Sequence, residues 1–221
     1  MTAVYLLWAA EFSLESFGAV LYSGRNRLLS VLLAFCALSD SITFAILRFV
    51  SPYAYAWSYW ASRSLKYMLL VWVGCSICGV FVDELHRFQA KITAFMVSIC
   101  SAALITAFSA SGETLKDKFL DGEISANMIL LAIVALGWIG RRDRLNQTWK
   151  WIACGFMVMV GSDLIFTALW TFWDGARHFY PIGAIAAQLV WIVGPLRSVR
   201  LPEFRKSLEK RYAEVERVTL V

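Results

Sequence analysis

Long apolar runs, separated by short charged or Gly/Pro-containing turns, leave this chain few folds to choose from. Crossing a bilayer's hydrocarbon layer takes roughly 20 apolar residues as an α-helix, because lipid offers no partner for an unpaired backbone N–H or C=O. The runs are continuous, not one-sided stripes. Of 221 residues, 59% are hydrophobic and only 17% charged, against about 25% charged in a soluble domain. Seven runs fit, roughly Ala3–Tyr22, Leu28–Val50, Ser64–Val82, Ile92–Ala110, Ala126–Gly140, Trp151–Trp173 and Tyr180–Leu196. They use most of residues 1–200 and leave no room for a soluble domain. The expected fold class is therefore an all-α integral membrane protein, a seven-transmembrane-helix bundle in the cell (inner) membrane.

The first run carries Glu11 and Glu15 and lacks a basic leader, so it reads as a span and not as a signal peptide. The fifth run is the shortest and can begin inside the polar stretch Ser111–Ser125. The aromatic stretch Tyr53–Trp60 reads as an interfacial loop or belt, since amphipathic rings prefer the headgroup level. Residues 201–221 form a tail in which Phe204, Leu208, Tyr212, Val215 and Val218 recur at helical spacing between charges. That pattern predicts an amphipathic helix on the inner leaflet and a possible contact for a cytoplasmic protein.

Lys and Arg are concentrated in the turns after runs one, three and five and in the tail, which places the N-terminus outside and the C-terminus inside. The net charge of +5 is explained by these topology signals. No basic stripe interleaved with stacking aromatics suggests nucleic acid. Cys36, Cys75, Cys78, Cys100 and Cys154 are an odd set inside apolar runs, and read as packing residues and not as a disulfide framework.

An internal repeat relates runs one to three with runs five to seven. Ser39-Asp40-Ser41-Ile42-Thr43-Phe44-Ala45-Ile46-Leu47 aligns with Ser162-Asp163-Leu164-Ile165-Phe166-Thr167-Ala168-Leu169-Trp170. Arg25–Leu28 aligns with Arg142–Leu145, and Leu70–Val73 with Leu189–Ile192. The predicted architecture is 3+1+3: a repeat over about 1–88, a linking helix over about 90–112 and a second repeat over about 121–200. With one helix between them the triplets are parallel, which is similar to the architecture of SWEET-type sugar transporters. The paired Pro-Gln motif of the PQ-loop family does not occur, so no substrate carries over.

Ionisable residues at depth cost roughly 2.5–3.5 kcal/mol on insertion scales and usually face a bundle interior or cavity. Glu11, Glu15, Asp40 and Asp163 qualify. The repeat predicts comparable depth for the two aspartates, with Ser39, Ser41, Thr43, Ser162 and Thr167 as hydrogen-bonding neighbours. Gln188 is the polar residue of the seventh run, where Gly183 and Gly194 permit close packing. Arg63 and Lys66 are expected to snorkel to the headgroups, or to pair with Glu11. The glutamates have no counterpart in run five, where Met128 and Ala132 align, which points to a special role for Glu11 and Glu15. In the structural alternative the aspartates hold neighbouring helices together, Glu11 faces polar partners and Glu15 lies nearer solvent.

The seventh run lacks the lysine a retinal Schiff base needs. The two histidines, His86 and His178, fall in turns on opposite sides, which does not suit paired haem ligation. No catalytic, metal or cofactor motif is present in the sequence. Tyr59-Trp60-Ala61-Ser62-Arg63, Phe81-Val82-Asp83-Glu84, the closing Gly194-Pro195-Leu196 and the following Pro202-Glu203 resemble a group of short seven-helix membrane proteins found as paralogues in acidobacteria. The resemblance implies the architecture and carries no activity with it. The functional expectation is a small-polar-solute transporter with a midplane acidic site. A seven-helix sensor or partner-binding protein is the alternative, and an enzyme ranks last. The oligomeric state is left open.

Overall fold

A computed structural model describes residues 2–108, 115–170, 172–173 and 181–197. The tail and the loop holding Asp174, Arg177 and His178 lie outside the described residues. Among those described, the chain forms seven α-helices and no strand. They are α1 (Thr2–Tyr22), α2 (Arg27–Phe49), α3 (Pro52–Val80), α4 (Arg87–Phe108), α5 (Leu115–Arg141), α6 (Gln147–Trp170) and α7 (Pro181–Arg197). Four stretches, Arg27–Phe49, Tyr53–Val80, Ile124–Arg141 and Gln147–Phe166, are long and apolar enough to cross a membrane.

The helix starts follow local chemistry. Asn26 caps α2 by accepting from the Leu29 N–H (3.0 Å), and Asn146 caps α6 in the same way through Trp149 (3.0 Å). Such caps satisfy N–H groups that have no partner inside the helix. Ser51 caps α3 by accepting from Ala54 N–H (3.1 Å), with Pro52 in its first turn. Pro suits that position because its fixed φ is already helical and no N–H is lost there.

The start of α3 corrects one expectation. Tyr53–Trp60 is not a loop but the opening turns of a 29-residue helix. At 1.5 Å per residue such a helix is about 43 Å long, well beyond the roughly 30 Å hydrocarbon layer. Its aromatic turns can therefore reach headgroup level while remaining helical. Ser-Pro ends one helix and starts the next with no intervening loop. Likewise, residues 115–125 of the expected polar loop belong to α5, as its short apolar run allowed.

Helix α3 touches α2, α4, α5 and α6; α1 packs on α2, α4 on α5, and α5 on α6. Helix α7 is tied to both α1 and α6. The Tyr22 hydroxyl donates to the Trp191 carbonyl (2.8 Å), and Trp191 Nε1–H donates to the Ile152 carbonyl (3.0 Å). Helices α6 and α7 interlock reciprocally. Trp191 of α7 fills the space over Gly155 of α6, and Trp151 of α6 fills the space over Gly194 of α7. Gly183 lies against Ser162 in the same interface. Small residues let membrane helices approach closely where no hydrophobic effect drives them together.

The densest packing is at the end of the bundle that holds the turns after α1, α3 and α5. Tyr22, Leu29, Phe81, Leu145, Ile152 and Trp191 form one buried cluster with Cys75 and Cys78. Arg141 Nη1 donates to the Phe81 carbonyl (3.2 Å), fastening α5 to the end of α3. The periphery is apolar, with Leu6, Val20, Leu38, Met68, Met96, Leu136 and Ile139 exposed. A continuous surface of that kind favours association in water and suits contact with lipid.

Gly155→Val and Gly194→Val should each destabilise the fold by about 1–3 kcal/mol through overpacking. Thermal unfolding in detergent checks this, with Gly161→Val as control, since nothing lies within 4 Å of a side chain added there. The first two substitutions lower the midpoint and the control leaves it in place.

Candidate functional site

Glu11 and Glu15 are four residues apart on α1 and so share one face. That face turns inward toward α2, α3 and α7. Glu15 is 2% exposed. Gln188 of α7, 3% exposed, donates from Nε2 to Glu15 Oε1 at 3.1 Å. Glu15 Oε2 and Gln188 Oε1 have no hydrogen-bond partner among the described residues, although both are buried. From α2, Asp40 accepts from Lys66 Nζ of α3 at 2.5 Å. One carboxyl oxygen each from Glu11, Glu15 and Asp40 can be chosen so that all three lie within 4.8 Å of one another.

These groups line a cavity of about 220 Å³. Asp163 of α6 reaches the same cavity, as do Arg63 and Lys66 of α3. The rest of its wall includes the rings of Trp8, Tyr55, Tyr59 and Tyr67, apolar side chains such as Leu32, Leu70 and Met159, and Pro181 and Ala184 at the start of α7. Arg63 Nη1 donates to the Tyr59 hydroxyl at 3.1 Å, which ties one base to the aromatic wall. Trp8, Asp40, Thr43, Tyr55, Tyr59, Asp163 and Pro181 place its upper part at the end of the bundle away from the dense cluster, and Leu32, Cys36 and Leu70, which belong to that cluster, form its floor.

Of the residues singled out from sequence, Glu11, Glu15, Asp40 and Asp163 converge on this one cavity, and Gln188 supports Glu15 from behind. Several expectations are corrected. Lys66 pairs with Asp40 of α2 and not with Glu11. Because α3 begins at Pro52, Lys66 sits about 21 Å into the helix at 1.5 Å per residue, past its aromatic opening turns, and its ammonium is turned toward α2. Glu15, not Glu11, is the more enclosed glutamate and holds the buried polar partner. Its turn of α1 lies nearer the closed end of the bundle.

Ser39 and Ser162 do not line the cavity. Their hydroxyls donate to carbonyls of their own helices, Ser39 to Cys36 (3.0 Å) and Ser162 to Met159 (2.9 Å). Each is one residue, and hence about 100° of helix, away from its aspartate. Of their hydrogen-bonding neighbours, Thr43 lines the cavity, while Ser41 donates to the Ala37 carbonyl at 2.9 Å. The Thr167 side chain lies outside the described residues.

The aspartates are not at equal depth along their helices. Asp163 lies three residues further from its cap, Asn146, than Asp40 does from Asn26, about 4.5 Å of helix rise. Trp72 and Trp191, also matched by the repeat, differ in environment. Trp191 is buried, whereas Trp72 is exposed with its ring against Phe95 (centroids 6.2 Å apart).

Three clustered carboxyls could in principle ligate a metal ion. The Lys66 ammonium already occupies Asp40, and its charge opposes a divalent cation at the same place. The arrangement is better matched to hydrogen-bond-donating cations, which can share acceptors with Lys66. No protein-family model matches the chain, and neither does any curated protein or solved structure.

The Asp40–Lys66 pair should show coupling in a double-mutant cycle. Lys66→Met and Asp40→Asn each destabilise the protein, and the double variant loses less than their sum, with a coupling of about 1–2 kcal/mol. Reversible unfolding in mixed micelles measures it. Strict additivity would show that the pair contributes nothing to stability.

Proposed function

We propose that the protein is a multi-pass transporter of a small polar solute in a bacterial inner membrane, with Glu11, Glu15, Asp40 and Asp163 forming its substrate site. The observation that carries this reading is the convergence of four acids, from α1, α2 and α6, on one cavity. Charge at membrane depth is rare, and where it occurs it marks solute and ion pathways. Asp40 and Glu15 each have a partner on a neighbouring helix, but a purely structural pairing does not call for the void that all four acids share.

The proposed architecture is seven spans in a 3+1+3 arrangement, with the N-terminus outside. Pairing between helices supports it. Helices α1 and α2 pair as α5 and α6 do, and α3 meets α5 as α7 meets α1. Helix α4 lies against α3 and α5, outside that symmetry, as a linker would. In this orientation the cavity faces the exterior and the cluster around Tyr22 and Trp191 closes the cytoplasmic side. Alternating access then consists of rocking one triplet against the other around the acids. The α1–α7–α6 chain of hydrogen bonds through Trp191 is the contact that has to part.

A cysteine placed in the cavity tests this without knowledge of the solute. Ser62→Cys, in a background lacking the five natural cysteines, should react with a membrane-impermeant thiol reagent from either face of oriented proteoliposomes. Labelling from the outer face alone would contradict transport and favour a receptor. Tyr22→Phe removes one hydrogen bond of the closed side, worth about 1 kcal/mol. It should raise the rate of labelling from the cytoplasmic face about fivefold, at 1.4 kcal/mol per factor of ten.

A further inference from the structure

A second cavity adjoins the acidic one. It has a volume of about 270 Å³ and lies between α1 and α2, walled by Ala9, Phe12 and Phe44 with Ser41 at one side. Trp8 and Asp40 line both cavities, so the two meet at those side chains. The Trp8 ring packs edge-on against Phe44 (centroids 5.5 Å apart), which places a rigid aromatic partition at the junction. Phe12 and Phe44 are exposed at the bundle surface, so the cleft opens sideways toward the lipid-facing periphery.

The two cavities differ in what they can accept. The first carries four carboxyls, Glu11, Glu15, Asp40 and Asp163, against the two bases Arg63 and Lys66. Its formal excess is two negative charges. Lys66 is committed to Asp40, Arg63 is tied to Tyr59 and Asp163 has an interaction of its own, so the adjacent pair Glu11 and Glu15 is the acceptor set for an incoming group. Glu15 lines this cavity, its side chain is almost wholly buried, and its Oε2 has no hydrogen-bond partner among the described residues. A group that offers N–H donors and positive charge satisfies it. The rings of Trp8, Tyr55 and Tyr59 add the π-faces that ammonium groups favour. The second cavity offers hydrocarbon and ring surface, with little hydrogen-bonding capacity.

We infer that the ligand of this site is an amphiphilic amine: its ammonium sits between Glu11 and Glu15 in the acidic cavity, and a short hydrocarbon chain lies in the cleft between α1 and α2. The inference rests on the proposed solute site and names its chemical class. An ammonium alone leaves the cleft empty, and an apolar molecule alone leaves Glu15 unpaired. Only a molecule with both parts matches two cavities that share Trp8 and Asp40. The lateral opening lets such a molecule enter from the membrane, where an alkylamine is already concentrated.

Binding to the full-length protein in lipid nanodiscs tests this, read as quenching of tryptophan fluorescence and as thermal stabilisation. The probes are methylammonium, butylammonium and hexylammonium, with hexanoate and hexanol as controls for partitioning and sodium and calcium chloride as controls for inorganic cations. Affinity should rise with chain length, by up to roughly fourfold per methylene fully buried, while hexanoate, hexanol and the salts give no saturable change. Glu15→Gln should weaken hexylammonium at least tenfold. Ala9→Phe, which fills the cleft, should remove the chain-length dependence and leave methylammonium unaffected. Glu15→Gln must keep the wild-type melting temperature within a few degrees to count, and Glu11→Gln serves in its place if it does not.

Equal binding of hexanoate, saturation by sodium or calcium alone, no saturable binding of any ammonium probe, or unchanged hexylammonium affinity in the glutamate variant would each overturn the inference. A chain-length effect that survives Ala9→Phe would overturn the cleft as the tail site. Binding needs no transport, so these outcomes are independent of the two-sided labelling. Amine binding with one-sided labelling describes an amine receptor, and two-sided labelling without amine binding describes a transporter of some other solute.

Discussion

The ion pair between Asp40 and Lys66 organises the open half of this bundle. Both side chains are partly withdrawn from water, where charge is costly unless paired and hydrogen-bonded. Their contact fixes how α2 and α3 face one another and turns the charged side of α2 inward. Glu11 and Glu15 come inward as well, onto the same cavity. Gln188 reaches Glu15 across the α1–α7 boundary and supplies a donor. The void among the acids is what remains when bulky charged groups share a space without packing against one another.

The other half of the bundle is built on the opposite principle. There the side chains are apolar or aromatic, and close approach is secured by glycine, with Gly155 and Gly194 each receiving a tryptophan from the facing helix. The polar contacts at that end, Tyr22 to Trp191, Trp191 to Ile152 and Arg141 to Phe81, all terminate on backbone carbonyls. Such contacts bind helices together without gathering charge. One end is open and charged and the other is closely packed, and this asymmetry arises from where the sequence puts its acids and its glycines.

Much of this was legible in the sequence. The number of helices follows from the apolar runs and the charged turns, and the four acids stood out because charge inside such runs is rare. What was not legible has definite causes. Ser51-Pro52 fits both the end of one helix and the start of the next. Read as an end, it hides the first turns of α3 and lifts Lys66 toward the surface; read as cap and first turn, it sinks Lys66 to the level of Asp40. The serines beside the aspartates shared their sequence neighbourhood but not their helix face, a consequence of the 3.6-residue period. The Glu15–Gln188 contact joins residues 173 positions apart, and no local pattern announces it. Asn127, 3% exposed on α5 with its Oδ1 lacking a partner among the described residues, was passed over altogether. A single amide inside an apolar run was the only available signal.

The central claim is that a water-filled acidic cavity lies inside a bundle whose exposed apolar surface faces lipid. Hydroxyl-radical footprinting of the protein in nanodiscs, with oxidation read residue by residue by mass spectrometry, tests both parts at once. Met159 lines the cavity, whereas Met68 and Met96 are more than half exposed on the periphery. The expected result is rapid oxidation of Met159 and of the Trp8, Tyr55 and Tyr59 rings, with Met68 and Met96 protected by acyl chains. Protection of Met159 together with oxidation of Met68 and Met96 would contradict the account, because the cavity would then be dry and the apolar surface wet.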